Sequence, residues 1–341
     1  MILSARLFKI LVLILLVYLP CSAVAGETTG KERVALFPFE NFSGNKDAMQ
    51  YIMPEIRGRL ESSGFEVIDD ASLDAFLLKE RIRSTGYIAE DAAIKMGREL
   101  NVKGVVMGSI NSFSTDVNPV VGLSARIVRT SDGSVVWANH ASSTGEDSTT
   151  ILELGTIREI ERLSRKVLGD LFGSLTMHPP DKERESTYRI AVMPFENDSG
   201  REDAGMIATY LFLAELFKNE KFEPVEFGEV KRFTVAMRIR GKGELDYRNA
   251  NPIAESAGVD GIVVGTVEAY REESGNSPPE ASISARLIDA RKNRILWCNN
   301  ASHDGDDDII ILDWGRLRSA ESVAHKAVTE LVEDMKKVKW Q

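Results

Sequence analysis

The chain has 341 residues, of which 43% are hydrophobic and 28% charged, with a formal net charge of −10 and two cysteines. This is globular composition, and an acidic balance with scattered basic residues argues against binding to nucleic acid or to an anionic membrane surface. Two cysteines supply no disulfide framework, so stability must come from apolar cores, and the length suits two domains of about 150 residues.

The first residues read as a targeting signal. Arg6 and Lys9 give the positive region, Ile10 to Leu19 is an unbroken apolar run, and Ala23-Val24-Ala25 is a small-residue cleavage site. A run of about ten apolar residues is too short to span a bilayer, which takes roughly 20. Residues 1–25 are therefore expected to be removed, leaving a mature chain from Gly26 whose charge becomes −12 without Arg6 and Lys9. Cys21 sits where a lipid anchor would be attached, but Tyr18 and Pro20 make a poor lipidation context. If Cys21 leaves with the signal, Cys298 is the remaining thiol. The location implied is the periplasm, with membrane attachment only through a lipidated Cys21.

Val34 to Phe39 reads as a strand buried on both faces and stopped by Pro38, followed by a turn at Glu40–Asn45. A helix capped by Asp47 runs to about Ser63, with Met49, Ile52, Met53, Ile56 and Leu60 at helical spacing. Phe65 to Ile68 is a short strand. Helices follow from Asp69-Asp70 and from Glu90 to Leu100, then a fully apolar strand from Gly104 to Ile110. Val120–Arg129 and Val135–Ala141 form a hairpin around Asp132-Gly133, a step suited to a tight turn. A long helix is expected over 149–175. Residues 176–187, with Pro179-Pro180, read as a linker.

The order then repeats: strand 189–195, helix 202–219, strand 222–226, helices near 229–238 and 250–257, strands 260–268, 281–289 and 294–302, and a helix over 308–336. Three matched segments carry the repeat. Val34-Ala35-Leu36-Phe37-Pro38-Phe39-Glu40-Asn41-Phe42-Ser43-Gly44 matches Ile190-Ala191-Val192-Met193-Pro194-Phe195-Glu196-Asn197-Asp198-Ser199-Gly200. Val102 to Ile110 matches Val259 to Val267, and Leu123-Ser124-Ala125-Arg126 with Trp137 matches Ile283-Ser284-Ala285-Arg286 with Trp297. The fold class expected is α/β, as two tandem copies (33–175 and 188–336) of a three-layer domain with a mixed β-sheet flanked by helices.

The search for chemistry finds no catalytic, cofactor-binding or metal-binding residues. The repeated turn has one glycine and no following Lys, which is too little for a phosphate cradle. Asp304-Gly305-Asp306-Asp307-Asp308 lacks the spacing of a calcium loop and suits a helix amino terminus. His140, His178, His303 and His325 are scattered and unmatched between the copies. Arg126 and Arg286 recur within a strand, as solvated or interface groups. Trp137 and Trp297 are expected in the core, sharing a strand face with Val135 and Ile295 and packing on the terminal helices.

The ordered set of motifs resembles the bacterial curli-assembly lipoprotein family (CsgG-like), the amino-terminal domain of TolB and the lipoprotein activators of peptidoglycan synthases. That resemblance implies an envelope α/β domain used for assembly and partner binding, without catalysis or cofactor. Neither copy has room for the long hairpins of a secretion channel, so no pore is expected. The expected role is a scaffold that binds envelope proteins, in an export or assembly system at the outer membrane. The alternative is a small-molecule or glycan site in the cleft between the copies.

Overall fold

In the computed structural model, which describes residues 31–147, 155–175, 187–236, 257–309 and 315–340, each half of the chain builds a six-stranded mixed sheet. The targeting signal with Cys21, the linker at 176–186, His178 and nearly all of the helix expected at 250–257 lie outside the described residues. The first half runs β1 (Glu32–Leu36), β2 (Glu40–Asn41), α1 (Ala48–Ser62), β3 (Phe65–Val67), α2 (Asp70–Lys79), α3 (Glu90–Leu100), β4 (Gly104–Ser114), β5 (Val120–Arg129), β6 (Val135–Thr144) and α4 (Ile160–Phe172). The second runs β7 (Tyr188–Val192), β8 (Glu196–Asn197), α5 (Ala204–Lys218), β9 (Phe222–Pro224), α6 (Phe227–Ala236), β10 (Gly261–Arg271), β11 (Glu280–Asp289), β12 (Arg294–Asp304) and α7 (Ala320–Met335).

The strand orders are β3-β1-β4-β5-β6 and β9-β7-β10-β11-β12, one topology used twice, with β2 and β8 added alongside β4 and β10. Helical connections make the parallel pairs β1–β3 and β1–β4, while hairpins make the antiparallel pairs β4–β5 and β5–β6. Apolar clusters lie on both faces of each sheet, so helices cover the strands from both sides. The mixed three-layer fold class is the one observed. Both halves belong to one compact unit, Glu32–Gln341.

The repeated Pro-Phe-Glu-Asn-x-Ser-Gly has a structural task. Asn41 Oδ1 accepts from Ser43 N at 3.1 Å and Ser43 Oγ at 2.6 Å, while its Nδ2 donates to Asn45 O at 2.7 Å. Asn197 does the same with Ser199 and Arg201. Gly44 and Gly200 follow with φ of +74° and +80°, a conformation glycine adopts without strain. The Phe39 ring lies against β4, where a Cβ on Gly108 would come within 2.6 Å of it, and Gly265 stands likewise within 2.4 Å of the Phe195 ring. The recurring glycines make room for the recurring phenylalanines.

Four expectations are corrected. The strand expected over 34–39 ends at Leu36, because Pro38 has no N–H to donate; pairing resumes as β2, where Glu40 lies opposite Ser109. Asp47 makes no side-chain cap, whereas Asp69 caps α2 by accepting from Ser72 N at 2.8 Å. Residues 149–154 and 310–314, at the expected starts of the terminal helices, lie outside the described residues; residues 155–159 and 315–319 are not helical, and the described helices run from Ile160 and from Ala320. Before each, a glycine at φ +99° (Gly155) or +97° (Gly315) turns the chain, and Ile157 N and Leu317 N bond back to Gly145 O and Gly305 O at 2.8 Å.

The last correction concerns the tryptophans. The β5–β6 pairing shifts between Ile127 and Val128, so a bulge puts Val136 and Trp137 on one face and Val135 on the other. The same shift between Leu287 and Ile288 separates Ile295 from Trp297. Trp137 packs with Leu163 and Val167 as expected and stacks on Phe172 at 5.4 Å. Trp297 is half-buried and donates Nε1 to Asp334 Oδ2 at 2.9 Å.

Candidate functional site

In the first sheet the hairpin strands extend beyond the helices α2 and α3 that cover one of its faces. On β5 and β6 that face carries Ser124, Arg126, Ala138 and His140. In the first half it is covered by α5, α7 and the start of α6, all from the second half. Among the described residues the same face of β10, β11 and β12 in the second half has no such cover, and Cys298, Asn300 and Ser302 on it are exposed.

The covered face is polar and closely satisfied. Arg126, 2% exposed, donates Nε to Glu226 Oε2 at 2.6 Å and Nη2 to Glu226 Oε1 at 2.8 Å, a bidentate pair inside the interface. Burial alone disfavours the charged guanidinium, and the Glu226 carboxylate more than offsets this, so its pKa is raised and Arg126 stays charged. Tyr210 lies under it, 4.7 Å from ring centroid to guanidinium, and donates its hydroxyl to Glu40 Oε2 at 2.8 Å. Burial pushes the Tyr210 hydroxyl well above its ordinary range. Glu90 N donates to Glu229 Oε1 at 2.7 Å beside this group.

A second network is built on Glu321, which is fully buried on α7. Its Oε1 accepts from Asn111 Nδ2 at 2.7 Å and from His140 Nε2 at 2.9 Å, and its Oε2 accepts from Ser112 Oγ. Gly122 admits it, since a Cβ there would lie 1.6 Å from Glu321 Oε2. The His140 ring stands 4.6 Å from that of His325, which bonds Glu215 at 2.7 Å, and Lys218 bonds the same Glu215 oxygen at 2.6 Å. Burial, and the His325 ring beside it, lower the His140 pKa against the opposing pull of Glu321. Burial pushes Glu215 up, but the bonds from His325 and Lys218 outweigh it and hold its pKa at about 2. Two of the histidines that read as scattered, His140 and His325, are thus brought together across the interface.

The matching face of the second sheet is open. It carries Thr266 and Glu268 on β10, Ser282, Ser284 and Arg286 on β11, and Cys298, Asn300 and Ser302 on β12. Cys298, Asn300 and Ser302 are exposed, as is Ile295 at 42%. Arg286, the counterpart of Arg126, is half-buried and makes no hydrogen bond or ion pair among the described residues. Of the two recurring strand arginines, one is an interface anchor and the other is free.

Elsewhere the acidic run is used locally. His303 bridges Asp307 at 2.9 Å and Glu330 at 2.6 Å, and Lys326 reaches Asp308 at 2.7 Å. Among the described residues no group of three or more His, Cys, Asp or Glu is placed to hold a metal. The two networks lie between the copies, where the cleft is expected. A groove of about 510 Å³ lies instead within the second half, lined by Glu215, Lys218, Asn219, Lys221, Glu333 and Lys336 among others.

No protein-family model and no curated protein matches the chain. Solved structures do, at low identity. The chain is similar to PelC from Paraburkholderia phytofirmans, solved as a dodecamer, at 18% identity over 47% of this chain and 94% of that one, with a TM-score of 0.33. It is similar to the LpoB C-terminal domain from Escherichia coli at 13% identity over 35% of this chain and 87% of that one, with a TM-score of 0.28. It is also similar to TolB from Acinetobacter baumannii at 13% identity, over 45% of this chain and 29% of that one, with a TM-score of 0.25. TolB was among the resemblances read from the motifs; the curli-assembly resemblance still rests on the motifs alone.

Proposed function

We propose that the chain is a non-enzymatic periplasmic protein of the bacterial envelope that binds protein partners, with the open face of β10, β11 and β12 as its docking surface. One observation carries this reading: the same sheet face occurs twice, buried under polar-networked helices in the first half and bare in the second. The bare copy keeps a polar pattern, an unpaired guanidinium and an exposed Ile295. Polar sheet faces of this kind bind through charged and hydrogen-bonding groups, which give specificity and orientation. The export-signal pattern at Arg6–Ala25 and the motif resemblance support the compartment. Among the described residues no helix is long and apolar enough to cross a membrane.

A photo-crosslinking amino acid at Asn300, in cells with an intact envelope, tests the surface. Protein adducts are expected there and not from Leu78, which is 81% exposed on α2. Equal labelling from both positions, or none from Asn300, would overturn the reading.

A further inference from the structure

We propose that the occupant of the open face is a second copy of this chain, docked head to tail, which presents its α1, its α4 and the start of its α2. This rests on the docking reading above and names the partner. The interface inside the chain uses two different surfaces, a sheet face of the first half and the outer helix face of the second. Such a contact is heterologous, and each chain is left with one unused surface of each kind. The unused sheet face is that of β10, β11 and β12. The unused helix face belongs to α1 and α4, the counterparts of α5 and α7.

The anchor of the buried contact carries over with its charges intact. Arg126 lies opposite Met107 in the β4–β5 pairing, and Arg286 lies opposite Val264 in the β10–β11 pairing, the same register position. Glu226 directly follows Val225, whose N–H bonds Ile190 O; Asp69 directly follows Ile68, whose N–H bonds Val34 O. Asp69 is therefore the counterpart of Glu226. It is exposed, and among the described residues its carboxylate accepts from Ser72 N and Ser72 Oγ, both at 2.8 Å, and pairs with no cation. One free surface carries an unpaired guanidinium, and the other carries a carboxylate at the position that pairs with it.

A second charge pair replaces the Glu321 network. Gly155 and Gly315 fix the alignment of α4 with α7, which puts Glu161, Arg162 and Arg165 in the places of Glu321, Ser322 and His325. All three are exposed. On the sheet side, Glu268 stands in the place of Asn111, and Ser282 stands where Gly122 admits Glu321. Ser282 therefore bars Glu161 from entering as Glu321 does. Arg165, one turn on from Glu161 on the same helix face, supplies the cation for Glu268, as does Arg162. The contact between chains is the same docking with its charges redistributed. Repeating it closes a ring or extends a filament, according to the rotation per step.

Charge reversal tests this on the purified mature chain, by light scattering and sedimentation at low salt. The parent is expected to be larger than one chain, and to dissociate as salt rises, because exposed pairs are screened. Arg286→Glu alone and Asp69→Arg alone should each weaken assembly at least tenfold. Asp69→Asn, which keeps a helix cap, should also weaken it. Mixing the two single reversals, or placing both in one chain, should restore assembly, because the carboxylate introduced at position 286 of one chain then meets the guanidinium introduced at position 69 of the next. A parent that is monomeric at every concentration, or reversals that assemble like the parent, would overturn the proposal. A monomeric parent whose Asn300 crosslinks to a different envelope protein would sink the head-to-tail contact and leave the docking surface standing.

Discussion

Helix α1 of the first half and helix α5 of the second sit at the same place on the same topology, and they are buried to very different extents. In α1 the buried residues are Ala48, Ile52, Ile56 and Leu60, one stripe facing its own sheet, while Tyr51, Pro54 and Arg59 face outward. In α5 burial runs without a break from Ile207 to Leu216, because one side packs on its own sheet and the other on β5 and β6. The sequences differ accordingly: Ile207-Ala208-Thr209-Tyr210-Leu211-Phe212-Leu213 is apolar nearly all round, as a helix between two layers must be. The difference teaches that duplication alone did not fix the role of each copy. One copy became the lid of the other, and its own sheet face was left uncovered.

The comparison is broken most severely at its buried anchors. Arg126→Ala leaves Glu226 as a buried carboxylate with no cation and only the long bond from Ile88 N at 3.4 Å, and is expected to cost about 3–5 kcal/mol. Urea unfolding followed by tryptophan fluorescence measures it. A loss under about 1 kcal/mol would mean that water enters the interface and that the halves are not locked together there.

Trp137→Ala is expected to cost a similar amount, about 3–5 kcal/mol, since the ring is 3% exposed and stacked on Phe172. Trp297→Ala should cost clearly less, as that ring is half-buried and its Nε1 reaches the surface residue Asp334. Equal losses at the two sites would show that α7 buries Trp297 as fully as α4 buries Trp137. A Trp297 variant of parental stability that no longer assembles would make that ring part of the docking surface.

Much of this was legible in the residues. The ordered repeat gave two copies and their mixed sheets, and the pattern placed α1 and α3 close to their observed ends and α2 at its observed start. What escaped depends on contacts made across the repeat. His140 aligns with Asn300 and His325 with Arg165, so neither histidine recurs, and nothing local links two residues on separate halves. The signal that could have found the interface was the all-round apolarity of α5 beside the one-sided α1. The face of Val135 was misread because alternation assumes an unbroken ladder, and the bulge at Val136 breaks it.

Acid should weaken the covered face selectively, through two groups. His140 has a lowered pKa in the fold, so below its ordinary value of about 6.5 the unfolded chain takes up the proton first. The stability it contributes is complete above that pH and shrinks as the pH falls toward the folded value, by about 1.4 kcal/mol for each unit of depression. Glu215 adds a second loss, present above its ordinary 4.5 and given up as pH falls toward about 2. Urea midpoints from about pH 7 down to about pH 3 should therefore fall in two stages. His140→Asn, the residue found at position 300, should flatten the first stage alone. A first stage that persists in that variant would assign it to another group.

The smallest effect belongs to Arg286, and its smallness is the point. Arg286→Ala removes a half-buried guanidinium that has no partner within the described chain, so in dilute monomer it should change stability by no more than about 0.5 kcal/mol. The same truncation at Arg126 costs several times more, although the two residues share a sheet position and a sequence context. At concentrations where chains associate, Arg286→Ala should lower the apparent melting temperature relative to the parent, because a partner that binds only the folded chain raises stability by mass action. A variant that is destabilised equally when dilute and when concentrated would place the partner of Arg286 inside its own chain, and the second sheet face would then be closed like the first.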